Sequence, residues 1–341
     1  MCFLIVENVN ILQPQKSEVD EAMEKKPGLL PSTSGLHIYP VANSGREHGV
    51  KDDEISVISS VGRKKLYKSR NSRKQSARRE WHSDITFEPI PSNYTLLRLT
   101  ELPQAGGDTL WASGYEVYDR ISEPYQKFLE SLTATYAQPE FNEIAKRNNF
   151  HIHVGPRGAP ENVGEALIAE HPVIRTNPVT GWKSVIAVGS HVQKVNGVSE
   201  EESRHLLDWF VTLIVENHDL QVRNRWLTPN DLAIWDNRSV YHAATWDYDG
   251  LGPRTGHRAV GLGERPYLDP KSIGRREALA KDPSTKCNKE EMHCEVLAWP
   301  DRLVPCVSSI WAFFIGQKDH QDKQNITTTY ICLCSSIDIR P

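Results

Sequence analysis

Asp231-Leu-Ala-Ile-Trp-Asp-Asn-Arg-Ser-Val-Tyr-His-Ala-Ala244 holds two short apolar runs, Asp231–Trp235 and Val240–Ala244, on either side of a turn-forming Asp236-Asn237. Each run is too short for a helix of ordinary length and rich in the residues that suit a pleated surface, so both read as strands. The pattern recurs. Tyr94–Thr100, Thr109–Ala112, Pro172–Arg175, Ser184–Val188, Arg223–Trp226 and His257–Leu262 are further short runs bounded by Pro, Gly, Asn or Asp, which predicts a mostly antiparallel sheet. Helical stretches interrupt them at Ser113–Ile121, Pro124–Leu132 and Ser199–Glu216. The last opens with Ser199-Glu-Glu-Glu202, a capping box, and places Leu206, Leu207, Phe210, Leu213 and Ile214 along one face. Many short strands with a few covering helices predict a mainly β fold with inserted helices, a sandwich or barrel of which the jelly roll is one form.

Outward from this body the composition changes. Residues 1–33 carry acids, Lys and Pro without periodicity and read as a poorly ordered arm, residues 34–280 as the folded domain, and residues 281–341 as a divergent tail holding five of the six cysteines. Nothing lies between Cys2 and Cys287 to be bridged, so a disulfide framework is excluded for most of the chain and a reducing compartment fits. In the tail, Cys287, His293 and Cys294 lack the paired spacing of a zinc site, and Asn325-Ile-Thr is a glycosylation triplet only in a secreted chain. No run approaches the ~20 apolar residues that span a bilayer, and the expectation is a soluble, cytoplasmic protein.

Lys+Arg 40 against Asp+Glu 44 gives a net charge of −4, which excludes a general polyanion binder. Nine Lys and Arg nonetheless crowd into 63–79 without an acid. A solvated mobile loop is the plain reading of that run; an import signal, a phosphate-contacting patch or a lid over a site beginning at Glu80 are the others.

The chemistry concentrates in two places. In Glu80-Trp-His-Ser-Asp-Ile-Thr-Phe87, His82 and Asp84 stand one residue apart on what reads as an extended segment, where i and i+2 share a face. An imidazole and a carboxylate so placed suit two adjacent metal positions, although His-x-Asp alone fits equally a surface hydrogen-bonded pair. His242, on the second strand of the opening stretch, is the natural third ligand. Arg254 and Arg258 follow in Pro253-Arg-Thr-Gly-His-Arg-Ala-Val260, and a guanidinium suits a carboxylate through two parallel charge-assisted hydrogen bonds.

The stretch from about Ser34 to Ala280 resembles the TauD/TfdA family of iron(II)- and 2-oxoglutarate-dependent dioxygenases, with the fungal sulfonate/taurine branch most similar. The resemblance rests on Leu36-His-Ile, Trp81-His-Ser-Asp-Ile-Thr-Phe87, Glu101-Leu-Pro-Gln-Ala-Gly-Gly-Asp-Thr-Leu-Trp-Ala-Ser-Gly-Tyr115, Trp235-Asp-Asn-Arg238 and His242 with Arg254 and Arg258. It implies a double-stranded β-helix core and iron bound by His82, Asp84 and His242. It further implies that Thr109 and Arg254 hold the distal carboxylate of 2-oxoglutarate, and that Arg258 faces the acidic group of a small-molecule substrate. The implied reaction consumes O2 and releases succinate and CO2, with sulfite and an aldehyde as products from a sulfonate such as taurine. One departure bears on substrate. Where the taurine enzymes carry a second histidine after Leu-His-Ile, this chain has Tyr39, a neutral hydroxyl in place of a potential cation. A carboxylate or secondary-metabolite substrate is therefore the second reading, and an inactive jelly-roll interaction protein the third. No nucleic-acid or membrane partner is expected, and a homo-oligomer is left open.

Overall fold

The Asp236-Asn237 turn does separate two strands, Leu232–Asp236 and Val240–Ala244, but they do not pair: each joins a different sheet, so the turn carries the chain across the core. The computed structural model describes residues 3–6, 35–41, 53–66, 76–281 and 328–330. In chain order its strands are β1 (Phe3–Val6), β2 (Ile55–Ser59), β3 (Ser92–Glu101), β4 (Thr109–Ser113), β5 (Thr133–Ala137), β6 (Ile168–Pro172), β7 (Ile174–Thr176), β8 (Lys183–Val185), β9 (Val192–Val195), β10 (Gln221–Asn224), β11 (Leu232–Asp236), β12 (Val240–Ala244), β13 (Thr255–Leu262) and β14 (Thr328–Tyr330). Helices α1 (Ser60–Leu66), α2 (Gly114–Arg120), α3 (Glu123–Glu130), α4 (Pro139–Asn148), α5 (Glu200–Val215) and α6 (Arg275–Lys281) are inserted between them. One six-stranded sheet has the order β14-β1-β11-β3-β13-β2; β10-β4-β12 and β6-β5-β9 are three-stranded and β7-β8 is two-stranded, and the pairings within all four are antiparallel.

Burial explains why these runs became strands. Every residue of β11 is buried, as are the first four of β12, because both lie inside the assembly rather than half-exposed. Leu97 and Leu99 of β3, Trp111 of β4, Ala233 and Trp235 of β11 and Val240 of β12 form one cluster between the six-stranded sheet and β10-β4-β12. Helix α5 is capped as expected: Ser199 Oγ accepts from the Glu202 backbone N–H, and Glu202 accepts from the Ser199 N–H. Its Leu206, Phe210 and Ile214, four residues apart, close the largest cluster together with Tyr136 and Val195.

Several expectations need correction. The Pro172–Arg175 run is the junction of β6 and β7, Ser184–Val188 is strand only at its start, and the Arg223–Trp226 strand lies two residues earlier, as β10. The segment bearing His82 and Asp84 is not an extended strand. His82 makes an isolated bridge and the chain then turns, with Ile85 at φ 48°. Residues 63–66 of the basic run belong to α1, while 67–75 lie outside the described residues. Most of the proposed arm and nearly all of the tail, including Cys287, His293, Cys294 and Asn325, also lie outside them; β1 and β14 are the described parts. Among the described residues, no helix is long and apolar enough to cross a membrane.

Candidate active site

His82 and His242 are brought together by the backbone. The His82 N–H donates to the His242 carbonyl at 3.0 Å and the His242 N–H to the His82 carbonyl at 2.8 Å, the mutual pair of an antiparallel bridge. Their rings stand 4.3 Å apart, centroid to centroid. His82 Nδ1 is 2.7 Å from the Glu80 carbonyl, which only accepts, so Nδ1 carries the proton and Nε2 keeps a lone pair. His242 Nδ1 is buried without a hydrogen-bond partner among the described residues, and its Nε2 lies 4.0 Å from Asp84 Oδ1. Burial, then the neighbouring His82, holds the His242 imidazole neutral, with a pKa lowered to about 3.

Asp84 is placed by a network that the Trp235-Asp-Asn-Arg238 motif did not reveal. Asn237 Oδ1 accepts from the Asp84 backbone N–H at 3.0 Å, and its Nδ2 donates to the Ser92 and Thr95 hydroxyls. Thr95 in turn donates to Asp84 Oδ2 at 2.8 Å, and Arg258 Nη1 donates to Oδ1 at 2.6 Å. Burial alone would raise the Asp84 pKa, yet the Arg258 guanidinium above all, with the Thr95 hydrogen bond, holds it well below the usual carboxylate range. One ligand atom from each of His82, Asp84 and His242 lies within 4.8 Å of the others. Two imidazoles and one ionised carboxylate on one face, with a free lone pair held by tautomer, suit the facial donor set of non-haem iron(II).

On the wall of a cleft that His82 also lines sits a buried guanidinium that, among the described residues, has no bonded carboxylate. Arg254 is 5 % exposed; its Nε donates to the Gly107 carbonyl at 2.8 Å and its Nη2 to Thr109 Oγ1 at 3.3 Å. Gly106 and Gly107 make the close approach with φ of 75° and 73°, where a Cβ on Gly106 would fall 2.6 Å from Asp247 Oδ1. Thr109 Oγ1 also accepts from Trp226 Nε1 at 3.0 Å, so both its lone pairs are engaged and its O–H remains to donate. A buried cation next to a free hydroxyl donor has the chemistry to grip an incoming carboxylate.

The expected residues thus fall into one place. Arg258 stacks over the Tyr39 ring at 5.3 Å, but its head group is already bonded to Asp84. A cleft of about 1480 Å³ opens over the site, lined among others by Tyr39, His82, His191 and Arg254. Residues that the motifs did not reveal are His191 and Phe141, whose signal was only a His or an aromatic beside unassigned turns; Thr86, inside the Trp81–Phe87 motif, and Arg63, at the start of the basic run, were quoted without these contacts, and Arg63 lies over Trp246 at 4.0 Å on the cleft wall. Gly189 has φ 104°, and a Cβ there would fall 2.5 Å from the Trp81 carbonyl, so the chain leading to His191 passes directly against the metal-ligand segment.

Fold and donor set together describe a non-haem iron oxygenase built on antiparallel sheet. Comparison with known proteins agrees. Residues 3–260 match the model of the family described as taurine catabolism dioxygenase TauD, TfdA family, and the chain belongs to that family. The "Alpha-ketoglutarate-dependent dioxygenase btcD" of Neocamarosporium betae is 52% identical over 282 residues, covering 76% of this chain and 79% of its own. The "Alpha-ketoglutarate-dependent sulfonate dioxygenase" of Saccharomyces cerevisiae is 34% identical over 193 residues, 57% of this chain and 44% of its own. The crystal structure of a taurine dioxygenase from Burkholderia xenovorans superposes with a TM-score of 0.52 at 23% identity, over 70% of this chain and 72% of that one, a likeness of fold. The protein is an enzyme of the 2-oxoglutarate-dependent dioxygenase class, whose cofactors are Fe2+ and 2-oxoglutarate with O2 as oxidant.

Proposed function

We propose that this enzyme hydroxylates a small acidic substrate, with His82, Asp84 and His242 holding iron(II) and with Arg254 and Thr109 holding the distal carboxylate of 2-oxoglutarate. The observation that carries the reading is Arg254, a buried cation whose side-chain hydrogen bonds among the described residues run to a carbonyl and a hydroxyl and to no acid, on the wall of the cleft that His82 also lines. Bound iron with 2-oxoglutarate supplies the activation of O2 that couples decarboxylation of the keto acid to oxidation of a substrate C–H bond. The chain's own residues bind and orient. Glu80 fixes the tautomer of His82, Asn237 and Thr95 fix Asp84, and Arg254 with Thr109 fixes the far end of the cosubstrate.

Arg258 and Tyr39 supply the substrate's anionic subsite in this reading. The sulfonate named for the yeast relative makes taurine and its analogues the first substrates to test, with succinate, CO2, sulfite and an aldehyde as products. Tyr39 and the engagement of Arg258 with Asp84 favour a second, carboxylate or secondary-metabolite, substrate. The six-stranded sheet and β10-β4-β12 with their common cluster are read as a jelly-roll core carried mainly by residues 34–280, to which β1 and β14 add strands from outside that range, with 281–341 otherwise read as an appended tail; a cytoplasmic, small-molecule enzyme without nucleic-acid partners follows from the same reading. Aerobic turnover with iron and 2-oxoglutarate tests it: sulfite matching succinate one for one identifies a sulfonate, and succinate rising with a carboxylate but with no sulfonate identifies the second class. Succinate that no acid raises above the uncoupled background overturns the substrate reading.

A further inference from the structure

His191 is buried (7 % exposed), lines the cleft and has no place in the iron or 2-oxoglutarate machinery described above. Its ring stands 5.7 Å from that of His82 at an interplanar angle of 72°, and Phe87 packs on it at 5.1 Å, so its position beside the metal ligands is fixed. Among the described residues its ring makes one hydrogen bond, between Nδ1 and Thr86 Oγ1 at 3.0 Å.

That bond selects a tautomer. Thr86 is 2 % exposed, and among the described residues its hydroxyl has no acceptor other than His191 Nδ1. Were Nδ1 to carry the proton, the buried hydroxyl would have nothing to donate to among the described residues, an unfavourable loss for a buried donor. The hydroxyl therefore donates to Nδ1, and the proton sits on Nε2. Thr86 is held in turn by His171 Nε2, which is 3.0 Å from the Thr86 carbonyl and 3.1 Å from that of Glu88. An imidazole clamped in this way offers the cleft a fixed N–H donor.

We propose that His191 is a specificity-determining residue whose Nε2–H receives an acceptor oxygen at the end of the substrate remote from its anionic group. The proposal rests on the reading of the cleft as the substrate site and deepens it. It selects bifunctional acids: an anion toward Arg258 and Tyr39, and a hydroxyl, ether, carbonyl or carboxylate oxygen toward His191. An amino acid analogue such as taurine presents an ammonium there, which only donates, so the two N–H groups oppose each other. The discrimination acts through an unpaired buried donor, the form of selectivity in which polar sites excel.

Matched pairs test this. Protein loaded anaerobically with iron(II) and 2-oxoglutarate is titrated with isethionate and taurine, and separately with 3-hydroxypropanoate and β-alanine, each read by its perturbation of the visible charge-transfer band. The two pairs distinguish a sulfonate from a carboxylate anion. In at least one pair the hydroxyl-bearing acid binds about tenfold tighter than its ammonium partner, the worth of one hydrogen bond. His191→Phe brings that ratio to about one while the band and the 2-oxoglutarate affinity stay unchanged. Thr86→Val, which keeps the imidazole but frees Nδ1 to take the proton, narrows the ratio as well, and 15N spectra of labelled histidine show the proton on Nε2 in the wild type and redistributed in this variant. A ratio near one in the wild type, a ratio that survives His191→Phe, a wild-type proton on Nδ1, or a band that none of the four acids perturbs overturns the proposal and leaves the iron and 2-oxoglutarate reading intact. A wild type with no band at all overturns both.

Discussion

At the scale of single residues, the site is organised by what each polar atom has left to give. Among the described residues Arg254 has no bonded acid and Thr109 retains one donor, so in the proposed reading replacing either removes a contact to the cosubstrate. Arg254→Lys exchanges a planar fork for a point charge, and we expect the dissociation constant of 2-oxoglutarate to rise about ten- to a hundredfold, read by equilibrium titration with iron(II) affinity unchanged. Thr109→Val gives a rise of about tenfold in the same titration. An unchanged affinity in both variants would place the cosubstrate elsewhere. His171 makes the corresponding statement about pH. Burial lowers its pKa from 6.5 to about 4. Between those values the unfolded chain binds a proton that the folded one refuses, so this contribution to stability is fully present above 6.5 and lost as pH falls toward about 4. His191 and His242, also lowered by burial, act in the same direction. Urea midpoints should drop on acidification through that window. His171→Gln should flatten the slope by about one proton, or about 1.4 kcal/mol per pH unit; an unaltered slope would exclude its part.

Among the elements, α5 was legible because a capping box and one apolar face point to the same answer, and its termini fell within a residue of those expected. Ser199→Ala should cost about 1 kcal/mol in a denaturant titration, since one N–H loses its acceptor and Glu202 its reciprocal partner. A cost near zero would mean that packing of Leu206, Phe210 and Ile214 alone sets the helix. Strand β5, Thr-Ala-Thr-Tyr-Ala, was hidden because small residues give little alternation to read, and β9 because two exposed residues separate its buried valines. Helix α4 did carry a signal, Pro139 at its start with Phe141, Ile144 and Ala145 on one face, as did the alternating burial of β2. The His82–Asp84 segment misled for a different reason. A turn can bring i and i+2 to one metal as well as a strand can, and the tertiary bridge to β12, not local alternation, fixes it. Gly189→Ala probes that bridge, because the added carbon must displace the Trp81 carbonyl or His82 itself. We expect weaker iron(II) binding by about tenfold with little change in helix content by circular dichroism; undiminished iron affinity would show that the segment has room to give.

For the molecule as a whole, residue types announced the chemistry while long-range pairing created it. His82 and His242 are 160 positions apart in the chain and share one backbone bridge, and the Asp236-Asn237 turn moves the chain between sheets so that Asn237 reaches back to Asp84. Periodicity sees neither event, because both depend on which strands become neighbours. Motif spacing pointed to the ligands and to Arg254, since each sits in a run of unusual residues; Asn237 was quoted without a role, and His191 left no trace outside its own burial. Behind the site, Glu88 is wholly buried and bonded by Arg157 through both oxygens and by His37, so the strap that carries Tyr39 is tied to the same core as the iron ligands. The central claim is that one ferrous ion sits among His82, Asp84 and His242 with 2-oxoglutarate gripped by Arg254. Anaerobic addition of iron(II) and then 2-oxoglutarate to the full-length protein tests it most directly. A visible charge-transfer band that appears in the wild type and is lost in His82→Ala is the predicted result; a band of equal strength in the variant, or none in the wild type, contradicts the account.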